Sequence, residues 1–313
     1  MPGIKNVPID SLKKHLEIYF IAGYTENIET TNRYIREMRT RDPEWLEFMQ
    51  STSGIREKFT AEEIKQLSKG ERKEPARKKR ISFDGDVFRF SHITDTHMGS
   101  IFFKEYIWDA LVSEINSQDL DAVFHSGDIT DGLNTTRTDS YYELTHIGYA
   151  QQKAYAVEKL SELIPPVYLV DGNHDRFFKK SAGACIGDDI AHEIDNVYYL
   201  GEDMADFHIN GISIRLWHGE DASSYASSYR LQKLIESFTG GDKPNVLLCG
   251  HTHKMVHMFE RHIHCLSGGA VTTQSNWMKR KRLANHTGFW IVEMTFDDRG
   301  VNKFSPTWYP FYE

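Results

Sequence analysis

Five short apolar runs, each stopping at a polar cluster, constrain this chain more than any other feature. They are Val87–Ile93, Ala122–His125, Val167–Val170, Ile212–Trp217 and Val246–Cys249. Each is short, rich in β-branched or aromatic residues, and mostly apolar, as a strand in a buried sheet is. Helical stretches lie between them. Lys104–Asn116 sets Ile107, Leu111 and Ile115 four residues apart, and Ser224–Phe238 is another. Strands alternating with helices make an α/β chain around a buried sheet. Val256–Leu266 reads as a hairpin turning at Glu260-Arg261, and Trp290–Phe296 alternates with Trp290, Val292, Met294 and Phe296 on one side.

The clusters that end the five runs are Asp95-Thr96-His97, Gly127-Asp128, Gly172-Asn173-His174-Asp175, His218-Gly219 and Gly250-His251-Thr252-His253. In α/β sheets ligands bind just beyond the carboxyl ends of the strands, so these clusters are expected to converge. Convergence gathers Asp95, Asp128, Asn173, His97, His218, His251 and His253 as metal-ligand candidates, with His174-Asp175 beside them. An oxygen and nitrogen donor set without thiolate suits Mn, Fe or Zn, not Ca or a cysteine-type zinc site. His92 and His125 sit inside strands and read as buried structural residues. His257, His262 and His264 read as surface partners on the hairpin.

The blocks D-x-H, G-D, G-N-H-D, H and G-H-x-H, in this order and each after a strand, resemble the calcineurin-like metallophosphoesterase superfamily across residues 85–296. The resemblance implies two central mixed sheets flanked by helices. It also implies two divalent metal ions, Mn2+ first and Fe or Zn as alternatives. Asp95, His97 and His253 would hold one ion, Asn173, His218 and His251 the other, and Asp128 would bridge them. Paired cations roughly 3.5–4 Å apart clamp phosphate oxygens and turn a shared water into the nucleophile. His174 would contact a phosphoryl oxygen or protonate the leaving group, with Asp175 fixing its ring.

The rest of the chain narrows the substrate less. With 313 residues there is room for a large domain and a small appendage. Residues 1–75 read as a small all-α domain, 76–84 as a basic linker and 85–313 as the catalytic domain. In the first, Asp10 or Ser11 caps a helix through Ile21 with Leu12, Leu16 and Phe20 as its stripe. Asn27–Thr40 follows, with Ile28, Tyr34 and Met38 on one side and Arg33, Arg36 and Arg39 on the other. A third helix starts at Asp42-Pro43. Such a set loosely resembles a helix-turn-helix module. Residues 1–80 hold 17 Lys+Arg against 13 Asp+Glu, which leaves 20 against 32 for the remainder, and Arg77–Arg80 is a dense basic cluster. A basic appendage on an acidic catalytic domain fits a polyanionic substrate.

The stretch Ser267-Gly268-Gly269, Thr273–Trp277 and Lys279-Arg280-Lys281-Arg282 is similar to the phosphoesterase subunit of archaeal D-type DNA polymerases. It is also similar to the double-strand-break-repair nucleases. Those nucleases place a histidine where this chain has Asp131, which puts exonuclease activity in doubt. DNA or nucleotide phosphodiesters are the expected substrates. The alternatives are a phosphomonoesterase, a small-molecule diesterase, and a non-catalytic scaffold. Met1–Lys5 lacks a signal-peptide core, no apolar run reaches 18 residues, and Cys185, Cys249 and Cys265 form no disulfide framework. A cytoplasmic protein without membrane contact is the expectation.

Overall fold

The computed structural model describes residues 7–22, 27–51, 79–134, 138–219 and 226–312. The chain divides into two compact units, Met1–Glu74 and Pro75–Glu313.

The first unit holds α1 (Ile9–Ala22), α2 (Ile28–Arg41) and α3 (Pro43–Ser51). Leu12, Leu16 and Phe20 of α1 pack with Met38 of α2 and with Leu46 and Met49 of α3. Asn27 caps α2, its Oδ1 accepting from the Thr30 N–H at 3.0 Å. Asp42 Oδ1 accepts from the Trp45 N–H at 3.1 Å, just ahead of Pro43 in the first turn of α3. Asp10 and Ser11 lie inside α1 and do not cap it. Ile28, at the first position of α2, is 50% exposed and stands outside the core. Arg33, Arg36 and Arg39 are exposed. Residues 52–75, part of the expected helical domain, lie outside the described residues.

The second unit is a two-sheet sandwich flanked by helices. One sheet runs β12 (Gly300–Pro310), β11 (Gly288–Asp297), β2 (Phe88–Ile93), β3 (Ala122–His125), β4 (Val167–Asp171), β5 (Val197–Glu202). The other runs β1 (Lys79–Ile81), β6 (Met204–Ile209), β7 (Ile212–Trp217), β8 (Val246–Cys249), β10 (Ile263–Gly268), β9 (Met255–Glu260). Both are mixed: β2 to β5 are parallel while β11 and β12 are antiparallel, and β7, β8 and β10 are parallel while β9 is antiparallel. Phe88, Phe90, Phe124, Phe207, Leu248 and Trp290 fill the space between the sheets. The outer face of the β2–β5 sheet is covered by α4 (Glu105–Ser117), α5 (Tyr149–Leu160), α6 (Arg176–Ala182) and α7 (Ile186–Ala191). Leu231 and Ile235 of α8 (Tyr229–Ser237) pack on Leu247 and Cys249 on the other side.

The five apolar runs are β2, β3, β4, β7 and β8. Other expectations need correction. Lys79–Ile81 is not linker but β1, paired parallel with Phe207–Ile209. An edge strand needs little more than main-chain partners, so Lys79 and Arg80 are tolerated there. The β9–β10 turn falls one residue later than expected, on Arg261 and His262, whose φ values of 51° and 63° suit a two-residue turn. The expected Ser224–Phe238 helix begins only at Tyr229, and residues 220–225 are outside the described residues. β12, a stretch the sequence reading did not assign, holds Pro306 and Pro310 and pairs along all of β11 as an edge. Among the described residues no helix is long and apolar enough to cross a membrane.

Candidate metal centre

The loops that leave β2, β3, β4, β7 and β8 lock onto one another through main-chain bonds. Asp95 N–H donates to Gly127 O and His97 N–H to Asp128 O, both at 3.0 Å. The His251 N–H donates to Asp95 Oδ2 at 2.9 Å, and the His174 N–H to Asp128 Oδ1 at 2.8 Å. These turns are sharp enough to force side-chain-bearing residues into the left-handed region. Asp95 (φ 51°), His97 (47°), Asp128 (53°), His251 (74°) and His253 (54°) all adopt it. Strain of this kind concentrates where function over-determines the backbone. Gly172 allows the closest approach, since a Cβ there would meet Asp128 Oδ1 at 2.1 Å.

All seven expected ligands come together. On one side, His253 Nε2 lies 3.2 Å from Asp95 Oδ1 and 3.3 Å from His97 Nε2. On the other, Asn173 Oδ1 lies 3.0 Å from His218 Nε2 and 2.8 Å from His251 Nδ1. Asp128 Oδ2 sits between the two sets, 3.7 Å from His97 Nε2 and 3.2 Å from His218 Nε2. One carboxylate oxygen faces both sets while the other is occupied by the His174 amide. Donor atoms of Asp95, His97 and His253 all lie within 4.8 Å of one another, and so do those of Asp128, His218 and His251.

The electrostatics ask for cations. Burial alone would lower the pKa of His97, but the hydrogen bond to Asp131 and the charges of Asp128, Asp131 and Asp95 lift it to about 9. Burial also opposes protonation of His218, and the charge and hydrogen bond of Asp128 and the charge of Asp95 raise it to about 9. Burial pushes the Asp128 carboxyl up, yet His218, His174 and His97 hold it well below the carboxylate range. His97 and His218 thus favour their protonated forms beside the buried carboxylates, while burial and the charge of His218 push His251 down to about 4. Divalent cations between the paired nitrogens would take over the balance of charge.

Three of the four candidate-ligand rings, those of His97, His253 and His218, have a backing partner that aims them. His97 Nδ1 lies 3.1 Å from Asp131 Oδ1, and His253 Nδ1 lies 2.9 Å from Asn285 Oδ1. His218 Nδ1 donates to Ser126 O at 2.8 Å. Sequence reading missed Asn285, which belongs to no motif block, and met Asp131 only as a departure from the repair nucleases. The expected structural histidines are fully buried: His92 Nε2 meets Ser126 Oγ at 2.9 Å and His125 Nε2 meets Thr96 Oγ1 at 3.0 Å. Burial holds both rings near pKa 3, hence neutral. Of the hairpin trio, His264 is half-buried and stacks on Phe304 at 4.5 Å.

The expectation for Asp175 fails. Its carboxylate accepts from the N–H groups of Ile129, Thr130 and Gly172 and from Thr130 Oγ1, and it does not touch the His174 ring. It knots the β3 and β4 loops together because three main-chain donors point at it. His174 Nδ1 donates instead to Asp131 O at 2.8 Å, and its ring is about one-third exposed. Asp131 therefore holds His97 with its side chain and His174 with its main chain.

The centre opens into a cavity of about 450 Å³. Beyond the ligands its wall carries Phe102, Phe177, Trp277, Lys254 and Glu143. Tyr229 opens α8 and does not line it.

The model of the calcineurin-like phosphoesterase superfamily domain matches residues 88–284, more than half of the chain. The chain belongs to that superfamily. Its members are metal-dependent phosphate-ester hydrolases, and these donor sets fit metal ions. Similar solved structures include a novel archaeal phosphodiesterase, 12% identical, covering 71% of this chain and 100% of its own, at a TM-score of 0.43. Another is a phosphoesterase from E. coli, 16% identical, covering 70% of this chain and 98% of its own, at 0.39. A third is Vps29 from Entamoeba histolytica complexed with zinc, 16% identical, covering 71% and 99%, at 0.38. No curated protein matches the sequence.

Proposed function

We propose that this phosphoesterase is a dinuclear enzyme that hydrolyses phosphodiesters of DNA or nucleotides. The observation that carries the reading is Asp128 Oδ2, placed between two donor sets on opposite sides. Asp95, His97 and His253 would hold one divalent cation and Asn173, His218 and His251 the other. When bound, the pair supplies Lewis-acid polarisation of the phosphate and an activated water. The residues do the rest. His174, with Nδ1 committed to a carbonyl, keeps Nε2 for a proton at the leaving oxygen. Asp175 keeps the Asp128 and Asn173 loops in register. Lys254 is the one lysine or arginine among the described cavity-lining residues, and Glu143 offsets it. That balance favours a diester, with one negative charge, over a monoester with two.

The exposed Arg33, Arg36 and Arg39 of α2 support a role for the helical unit in bringing nucleic acid to the enzyme. The catalytic reading is tested with Mn-loaded protein on bis(p-nitrophenyl) phosphate and p-nitrophenyl phosphate. Faster turnover of the bis-ester is expected. Faster turnover of the mono-ester would replace the reading with a phosphomonoesterase, and turnover of neither would leave a scaffold.

A further inference from the structure

One wall of the cavity is built by α9 (Asn276–Lys281) and its flanks. Met278 is buried and, with Leu283, faces the cavity. Trp277 also lines it, yet is 41% exposed. Among the described residues no ring or cation stacks on Trp277. Lys279, Arg280, Lys281 and Arg282 are all exposed, and none makes an ion pair among the described residues. Ser275 Oγ accepts from the Met278 N–H at 3.2 Å, and Gln274 Nε2 donates to Leu283 O at 2.6 Å, which fastens both ends of the segment. Asn276 Nδ2 donates to Glu143 Oε1 at 3.2 Å and ties it to the opposite wall.

A fixed aromatic face beside four adjacent exposed cations stands out on a domain that is otherwise acidic, with 32 Asp+Glu against 20 Lys+Arg beyond residue 80. A single phosphate at the metal centre makes no use of it. Arg280 and Lys281, three and four residues on from Trp277, share its helix face, and Lys279 and Arg282 flank them, so phosphates beside a stacked base can meet cations. The exposed indole matches an unpaired base, since base–aromatic stacking contributes about 1–3 kcal/mol in strand-binding proteins. A duplex hides its base faces and gains nothing from Trp277.

We infer that α9 and Lys279–Arg282 form a docking rim for single-stranded nucleic acid, with one base on Trp277 and flanking phosphates on the four cations. The inference rests on the diester reading and names its substrate as a strand, not a mononucleotide.

The test uses the full chain and a variant with Lys279→Ala, Arg280→Ala, Lys281→Ala and Arg282→Ala. Hydrolysis of bis(p-nitrophenyl) phosphate, which reaches only the metals, should be unchanged. Binding of fluorescent dT15 and U15 in EDTA should weaken at least about tenfold, and its log–log salt slope should flatten by about 0.7 for each phosphate no longer neutralised. Trp277→Ala should weaken binding with the salt slope unchanged. Equal binding by variant and parent at every salt concentration overturns the rim. So does a parent that cuts the chromogen but neither binds nor cuts the oligonucleotides, or that binds duplex better than strand. Failure of the parent to turn over the chromogen would sink the diester reading instead, and the EDTA binding comparison would still decide the rim.

Discussion

The two halves of the candidate metal centre each set two histidines beside one oxygen donor, the Asp95 carboxylate or the Asn173 amide, but hang the rings from different supports. His97 and His253 are backed by side chains, the Asp131 carboxylate and the Asn285 amide, and their own side chains keep 8% and 13% exposure at the cavity. His218 is fully buried and donates to a main-chain carbonyl, Ser126 O. A side-chain support can be deleted, whereas a main-chain one moves only with the fold. The first half is therefore the adjustable one, and through Asp131 it also carries His174, whose ring packs edge-on to His97 at 4.5 Å. The second half is the anchor.

The largest effect should come from the atom both halves share. Asp128→Asn should cost orders of magnitude in diester turnover and lower metal content on both sides, measured by elemental analysis of the purified protein. Near-full activity with two ions bound would erase the distinction between halves, because no bridge would then exist. Next, His174→Ala should keep both ions and reduce turnover about 10²–10⁴-fold, more for alkoxide than for p-nitrophenolate leaving groups. Depletion of metal in this variant would make His174 a ligand of the adjustable half, consistent with its donor atom lying within 4.8 Å of those of His97 and Asp128.

Asp131→Ala should weaken one ion about 10–100-fold, the usual cost of removing a ligand's backing partner. Asn285→Ala should do less, since a neutral amide gives the ring less charge than a carboxylate. In both variants the second ion should titrate as in the parent, and equal weakening of both ions would break the comparison. The smallest effect concerns pH. His92 and His125 have an ordinary value of 6.5 but burial holds them near 3 in the folded chain. The unfolded chain takes up those protons first, so stability falls as pH drops below about 6.5, by roughly 2 kcal/mol per histidine at pH 5. His92→Gln should shallow that slope in thermal melts at pH 7.5 and 5. An unchanged slope would mean that release of metal, not these rings, governs acid sensitivity.

The strands at the heart of the sandwich were legible because burial on both faces leaves no freedom in composition: β3, β7 and β8 start and stop where the apolar runs do. The clustering of the candidate ligands was legible because each follows such a strand. Edges were not. β1 is basic and β12 holds two prolines, since an edge strand is chosen by its partner's open main chain and not by its own pattern. The backing residues were only half visible. Asn285 lies between α9 and β11, outside every motif, and it reaches His253 only through tertiary folding. The family resemblance implied Asp175 as His174's partner, but in this turn the neighbouring side chains part, and three converging N–H groups claimed the carboxylate.

The left-handed backbone at Asp95, His97, Asp128, His251 and His253 sets a trade between endurance and chemistry. Each such residue costs on the order of 1–3 kcal/mol that the rest of the fold must absorb. Alanine at one of these positions removes the donor and keeps the strain; glycine removes both. The glycine variants should therefore melt higher than the matching alanine variants while being just as inactive. Selection for thermal robustness alone would drift these five positions toward glycine, and their aspartates and histidines persist only where turnover outweighs the stability they forgo.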